Sequence, residues 1–185
     1  MSQDNPLFFG KNLFTLELKV PELLELAAWM ERTGTEYYRY LSEQTQDYAT
    51  KKFFLRLMGM EHEHEQRIRK LYQEAAAKEL EYFGEEEGVT GREFLKRVRK
   101  AALKKVWPGG FDPTVEVKEK FEIRESLQMA LDAEKNSAAL YHYLGKFKLY
   151  GPARDCIVRL KKDEQGHIRD IIDAMQKLPS GEIEA

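Results

Sequence analysis

The sequence predicts an all-α protein built as a four-helix bundle. Apolar residues recur at alternating spacings of three and four over four long segments, the pattern of helices with one buried face. No segment sustains the alternation of polar and apolar residues that a half-buried strand shows. The 185 residues are enough for one domain with a sizeable core.

Composition excludes several classes of protein. Apolar residues make up 42% and charged residues 34%, and the net charge of −2 gives no global attraction to nucleic acid or membrane. No apolar run approaches the roughly 20 residues of a membrane span, and we expect no signal peptide. The single cysteine, Cys156, excludes an internal disulfide and a site made only of cysteines. We therefore expect a cytoplasmic protein.

The first half of the chain is predicted to hold an arm and two helices. Residues 1–20 form the arm, because Pro6 and Gly10 would interrupt an early helix. The first helix is predicted over residues 21–46, with Pro21 tolerated in its first turn. The second helix is predicted over residues 50–79.

The second half begins with a crossover, residues 80–117, which is too long for a tight turn. A capping box that starts at Thr90 predicts a short helix within it. The third and fourth helices are predicted over residues 117–149 and 153–177, separated by Gly151 and Pro152. The bundle domain, including its crossover, is therefore predicted over residues 21–179, with a tail at 180–185.

Two Glu-x-x-His motifs occupy positions that should be buried. Glu61 and His64 continue the apolar spacing of the second helix, and Glu164 and His167 continue that of the fourth. Burying such groups without partners costs several kcal/mol per charge, so these positions point to a bound metal ion. The alternative is a metal-free bundle in which the same groups pair as salt bridges.

An internal repeat relates the two halves of the chain. Glu164 and His167 each follow their counterparts by 103 residues. The first and third helices should then supply one glutamate each, and we predict that these are Glu36 and Glu134, which lie 98 residues apart. Four glutamates and two histidines from four helices match the ligands of di-iron carboxylate bundles. Such mixed ligands suit iron or manganese.

Four motifs resemble those of the ferritin-like superfamily, and most closely its rubrerythrin branch. They are Gly34-Thr35-Glu36, Glu61-x-x-His64, Asp132-Ala133-Glu134 and Glu164-x-x-His167. The resemblance covers about residues 22–177. It implies that Glu61 and Glu164 bridge two metal ions. Glu36 and His64 would then serve one ion, and Glu134 and His167 the other.

The sequence departs from the rubrerythrin pattern in two places. Ser137 stands where rubrerythrins carry a further glutamate, so the centre resembles the symmetric sites of bacterioferritin-type proteins. One cysteine cannot form a rubredoxin module, which implies an external electron donor such as a rubredoxin. The family often places a tyrosine against its ligands. Tyr141 in the third helix fits that role. The equivalent position in the first helix is Glu43, so Tyr40 is the candidate there. Tyr141 and Tyr40 are the predicted catalytic residues.

The resemblance implies an oxidoreductase that takes part in the response to oxidative stress. It would use two iron ions, Fe2+ or Fe3+, with manganese or zinc as alternatives, to reduce hydrogen peroxide or to oxidise ferrous iron with dioxygen. A homodimer is expected. The alternatives are an iron- or manganese-binding or storage protein without fast turnover, and a non-catalytic helical bundle. Metal content and molecular mass would distinguish them.

Overall fold

A computed structural model describes residues 20–83, 99, 106–107, 122–146, 149 and 151–178. Within them lie four long helices: α1 (Val20–Gln44), α2 (Tyr48–Phe83), α3 (Ile123–Leu144) and α4 (Gly151–Gln176). These ranges contain no strand. The prediction of an all-α four-helix architecture is confirmed.

The helices pack as two hairpins. α1 packs along α2, and α3 packs along α4, while the contacts of α1 with α3 and of α2 with α4 are fewer. Only three residues separate α1 from α2, so the two helices run antiparallel. The repeat inferred from the sequence is therefore a repeat of helical hairpins.

Local interactions explain where the helix ends differ from the prediction. The Asp47 carboxylate accepts a hydrogen bond of 2.7 Å from the backbone N–H of Thr50, so this N-cap starts α2 two residues early. Glu122 has an extended backbone, with φ −65° and ψ 149°, and α3 begins only after it. α3 ends at Leu144 and α4 begins at Gly151, whose φ of +52° favours glycine.

Three sequence-based predictions fall mostly outside the described residues: the arm, of which Val20 lies in α1; the short helix of the crossover, of which Arg99 is described and helical; and the C-terminal tail. Val106 and Trp107 are described, and both are buried. Asn136 of α3 donates a hydrogen bond of 2.9 Å to the carbonyl of Val106, and the Trp107 ring lies 5.1 Å from that of Tyr37. This part of the crossover therefore packs against the bundle.

The core consists of apolar layers on either side of a polar layer. The predicted apolar positions next to the two motifs are fully buried, each at most 1% exposed: Phe54, Leu57, Ile68, Ile157, Leu160 and Ile171. The motif residues between them are at most 5% exposed. In the described part of the chain, no helix is both long and apolar enough to cross a membrane.

Candidate metal centre

Six ionisable side chains from all four helices form the polar layer. α1 and α3 give one glutamate each, and α2 and α4 each give the glutamate and histidine of their motif: Glu31, Glu61, His64, Glu134, Glu164 and His167. Each is at most 5% exposed. Because burial removes their hydration, these charges need compensation from within the protein or from a bound ion.

The potential ligand atoms of this layer fall into two overlapping groups. One group contains Glu31 and His64, the other contains Glu134 and His167, and Glu61 and Glu164 belong to both. Within each group the atoms lie within 4.8 Å of one another. Each group thus offers three carboxylates and one imidazole, and the two shared glutamates are placed where bridging ligands would be.

Glu36, selected from the sequence, does not lie in either group. Its carboxylate is half-buried and lies 3.5 Å from Arg32 on the same helix, while Glu31 is 1% exposed within the cluster. Five residues rotate a helix by about 140°, so these two glutamates point in different directions. The signal that identifies Glu31 was available, since it precedes Glu134 by 103 residues, the offset of the other pairs.

Two tyrosines donate hydrogen bonds to the cluster, each across to the other half of the bundle. Tyr38 donates to Glu134 and Tyr141 donates to Glu31. Tyr141, the tyrosine predicted on α3, thus contacts a candidate ligand. On α1 the equivalent contact is made by Tyr38, whereas Tyr40, the residue predicted there, is only half-buried. Burial, followed by the nearby carboxylates, raises the pKa of both hydroxyls well above 10, so both remain donors.

The four carboxylates of the centre divide into two kinds. Burial, and then repulsion by Glu31 or Glu134, raises the pKa of Glu61 and of Glu164 well above 4.5. Burial also acts on Glu31 and Glu134, but hydrogen bonds from the neighbouring glutamates, histidines and tyrosines outweigh it and lower their pKa. The two shared glutamates therefore keep their protons to higher pH than the two outer ones.

The geometry fits a pair of divalent cations. The Nδ1 atom of His167 lies 3.2 Å from oxygens of Glu61, Glu134 and Glu164, and Nδ1 of His64 lies 3.1 Å from Glu31. Among the described residues, Glu164 Oε2 is buried without a hydrogen bond. Carboxylates and imidazoles that converge in this way are a donor set for iron or manganese, and two divalent ions would balance four carboxylates.

The lone cysteine does not contribute to this site. Cys156 is buried, and burial raises the pKa of its thiol to about 11. It is therefore protonated at neutral pH, whereas a metal ligand or nucleophile must be a thiolate. The candidate centre is built from oxygen and nitrogen ligands.

The chain matches a model of a known protein family. A family model described as Rubrerythrin matches residues 22–171, a range that includes all six clustered residues. A search of curated proteins gave no match, and neither did a search of solved structures.

Proposed function

The chain belongs to the rubrerythrin family, a family of ferritin-like four-helix bundles, and from this premise we propose that it is a di-iron redox protein. It reduces hydrogen peroxide, or oxidises ferrous iron with dioxygen, with electrons from an external donor such as a rubredoxin. The observation that carries the proposal is the pair of overlapping ligand groups that share Glu61 and Glu164. A homodimer in the cytoplasm is part of the proposal.

Each ligand group would hold one ion. Glu31 and His64 would serve the first position, Glu134 and His167 would serve the second, and the two shared glutamates would be available to both. Two iron ions, when bound, supply the two electrons that convert hydrogen peroxide and two protons into two molecules of water.

The protein's own residues prepare the site for this chemistry. The fully buried apolar layers around the motifs keep bulk water away from the centre. The ligands come from packed helices, so they are held in place before the reaction. Tyr38 and Tyr141 hold the two outer glutamates through hydrogen bonds and retain their own protons. Glu61 and Glu164 release protons when they bind cations.

The test begins with metal-free protein under anaerobic conditions. We expect it to bind about two ferrous ions, as other carboxylate bundles do, and addition of about one equivalent of hydrogen peroxide should oxidise both. Optical spectroscopy follows the oxidation, and added reduced rubredoxin tests for turnover.

The Glu164→Ala variant should lose one or both ions, since this glutamate belongs to both groups. The matched control is Asp173→Asn, an exposed acidic residue of the same helix. Failure to bind metal would contradict the proposal. Binding without oxidation would favour a storage or metal-binding role instead.

A further inference from the structure

The internal repeat of the metal centre is broken beside its histidines. An offset of 103 residues relates the glutamates, the histidines and the tyrosines of the two halves. The same offset pairs Asp163, next to Glu164, with Met60, and it pairs Asp170 with Arg67. The two halves therefore carry the same candidate ligands but different surroundings.

His64 has a partner at each ring nitrogen. Its Nδ1 faces Glu31 in the cluster, at 3.1 Å, and its Nε2 lies 3.4 Å from Oδ2 of Asp163. A shift of a few tenths of an ångström brings the second contact to an ordinary hydrogen-bond length. Oδ2 of Asp163 also lies 3.7 Å from the Arg67 guanidinium, so the carboxylate has a second contact on α2. The carboxylate is thus placed to accept a hydrogen bond from Nε2.

His167 has no equivalent arrangement. Its Nδ1 faces three glutamates, but its buried Nε2 has no hydrogen-bond partner among the described residues. Met60, at the position equivalent to Asp163, offers only a weakly accepting thioether. Asp170, at the position equivalent to Arg67, is bound to Arg56 at 2.9 Å instead. The outer nitrogen of this histidine is therefore unsupported.

We propose that the two metal positions are unequal: the position served by Glu31 and His64 binds a divalent cation first and more tightly, with Asp163 as the positioning residue of His64. A metal at Nδ1 leaves the imidazole proton on Nε2. A carboxylate that accepts a hydrogen bond from this N–H fixes the ring orientation and increases the basicity of the ligand nitrogen. In the other half, the same proton has no acceptor among the described residues.

The inequality has a consequence for redox chemistry. At metal concentrations between the two dissociation constants, the chain holds one ion, at the first position. Two-electron chemistry on a dinuclear centre then begins only when the second, weaker position fills. This inference rests on the proposed function only in requiring that the cluster binds divalent cations.

Calorimetric titration of the metal-free full chain with Mn2+ tests the proposal. We expect two steps whose dissociation constants differ at least about tenfold, the smallest effect typical of such outer partners. Asp163→Ala should weaken the tighter step by about 10- to 100-fold and leave the weaker step unchanged. Asp163→Asn, which keeps an acceptor but loses the charge, should have a smaller effect. Asp173→Asn removes one exposed charge from the same helix and is the matched control.

A spectroscopic readout separates positioning from a general loss of structure. In the zinc-loaded protein with 15N-labelled histidine, the Nε2 proton of His64 should be protected from exchange, and Asp163→Ala should remove that protection while leaving the ligand signals of His167 in place. Two equal binding steps in the unaltered protein, or an Asp163→Ala variant that behaves like Asp173→Asn, would overturn the inference alone. Complete absence of metal binding would overturn the proposed function as well.

Discussion

At the scale of single residues, burial decides which of two nearby glutamates needs a cation. Glu31 is 1% exposed among three other carboxylates, whereas Glu36 is half-buried and paired with Arg32. A half-exposed carboxylate on a helix surface is stabilised by water and contributes little through its ion pair. A buried carboxylate needs a proton, hydrogen bonds or a metal. The proposed ligand set therefore contains Glu31 in place of Glu36.

The substitution Glu31→Gln should lower the metal content of the purified protein from about two ions to about one, because the first group of the carboxylate bundle loses a charged ligand. Glu36→Gln is the matched control. It should keep the full metal content and change the free energy of unfolding by no more than about 0.5 kcal/mol, as is usual for surface positions. Elemental analysis after dialysis and thermal unfolding are the measurements. Equal metal loss in the two variants would contradict this ligand assignment.

At the scale of the helices, α1 and α2 approach closely where a bridging candidate is held. A Cβ atom added to Gly34 would lie 3.2 Å from Oε2 of Glu61 and 3.3 Å from its Cγ and Cδ. Glycine within a helix costs about 1 kcal/mol relative to alanine. At Gly34 this cost is offset by the room that glycine leaves for the Glu61 carboxylate against α1.

Gly34→Ala should therefore push Glu61 away from the shared position and weaken metal binding. Gly59→Ala is the matched control, since its added Cβ meets nothing within 4 Å and the residue is exposed on α2. The control should stabilise the protein by about 0.5–1 kcal/mol through helix propensity. Metal titration and thermal unfolding of both variants check the prediction. If Gly34→Ala bound metal normally and gained stability like the control, the close approach would have no functional role.

At the scale of the whole molecule, the buried cluster links folding to pH and to metal. The folded state raises the pKa of Glu61 and Glu164 above 4.5 and that of His167 above 6.5. Burial opposes the shift of His167, but its interactions with the surrounding glutamates, first of all Glu134, outweigh it. In the metal-free protein these three groups hold protons more firmly when folded than when unfolded. Their contribution to stability is therefore complete at low pH and is lost as pH rises.

The metal-free protein should become less stable as pH rises above about 4.5, because the folded state raises the pKa of Glu61 and Glu164. It should lose further stability above about 6.5, because the folded state also raises the pKa of His167. Glu31 and Glu134, whose pKa values are lowered, act in the opposite sense and lose their contribution as pH falls below about 4.5. Thermal unfolding of the metal-free chain across this range is the measurement. A midpoint that rose steadily from pH about 5 to pH about 8 would contradict the protonation pattern of the cluster.

Metal should reverse this trend. Ligands must release their protons to bind a cation, so metal affinity and the stability it confers increase with pH. At a free metal concentration of about 100 times the dissociation constant, one bound ion adds about 2.7 kcal/mol. Unfolding with and without Mn2+ at each pH measures this gain. A gain that stayed constant with pH would mean that the bound ions displace no protons.

The amino-acid sequence by itself determined the helical class, the hairpin repeat and the burial of both Glu-x-x-His motifs. It could do so because the spacing of apolar residues specifies which face of a helix is buried, and each motif falls on that face. The constant offset of 103 residues also relates Glu31 to Glu134 and Tyr38 to Tyr141, but an offset alone does not specify which side chains face the centre.

Only the tertiary structure decided between candidates that the sequence left close together. Several glutamates and tyrosines lie along α1, and the rotation of that helix against its neighbours selects Glu31 and Tyr38 as the residues that face the centre. The contact of Asp163 with His64 joins two helices whose relative rotation and stagger no local pattern encodes. Such contacts depend on how whole helices pack, because a side chain reaches a distant partner only after both backbones are in place.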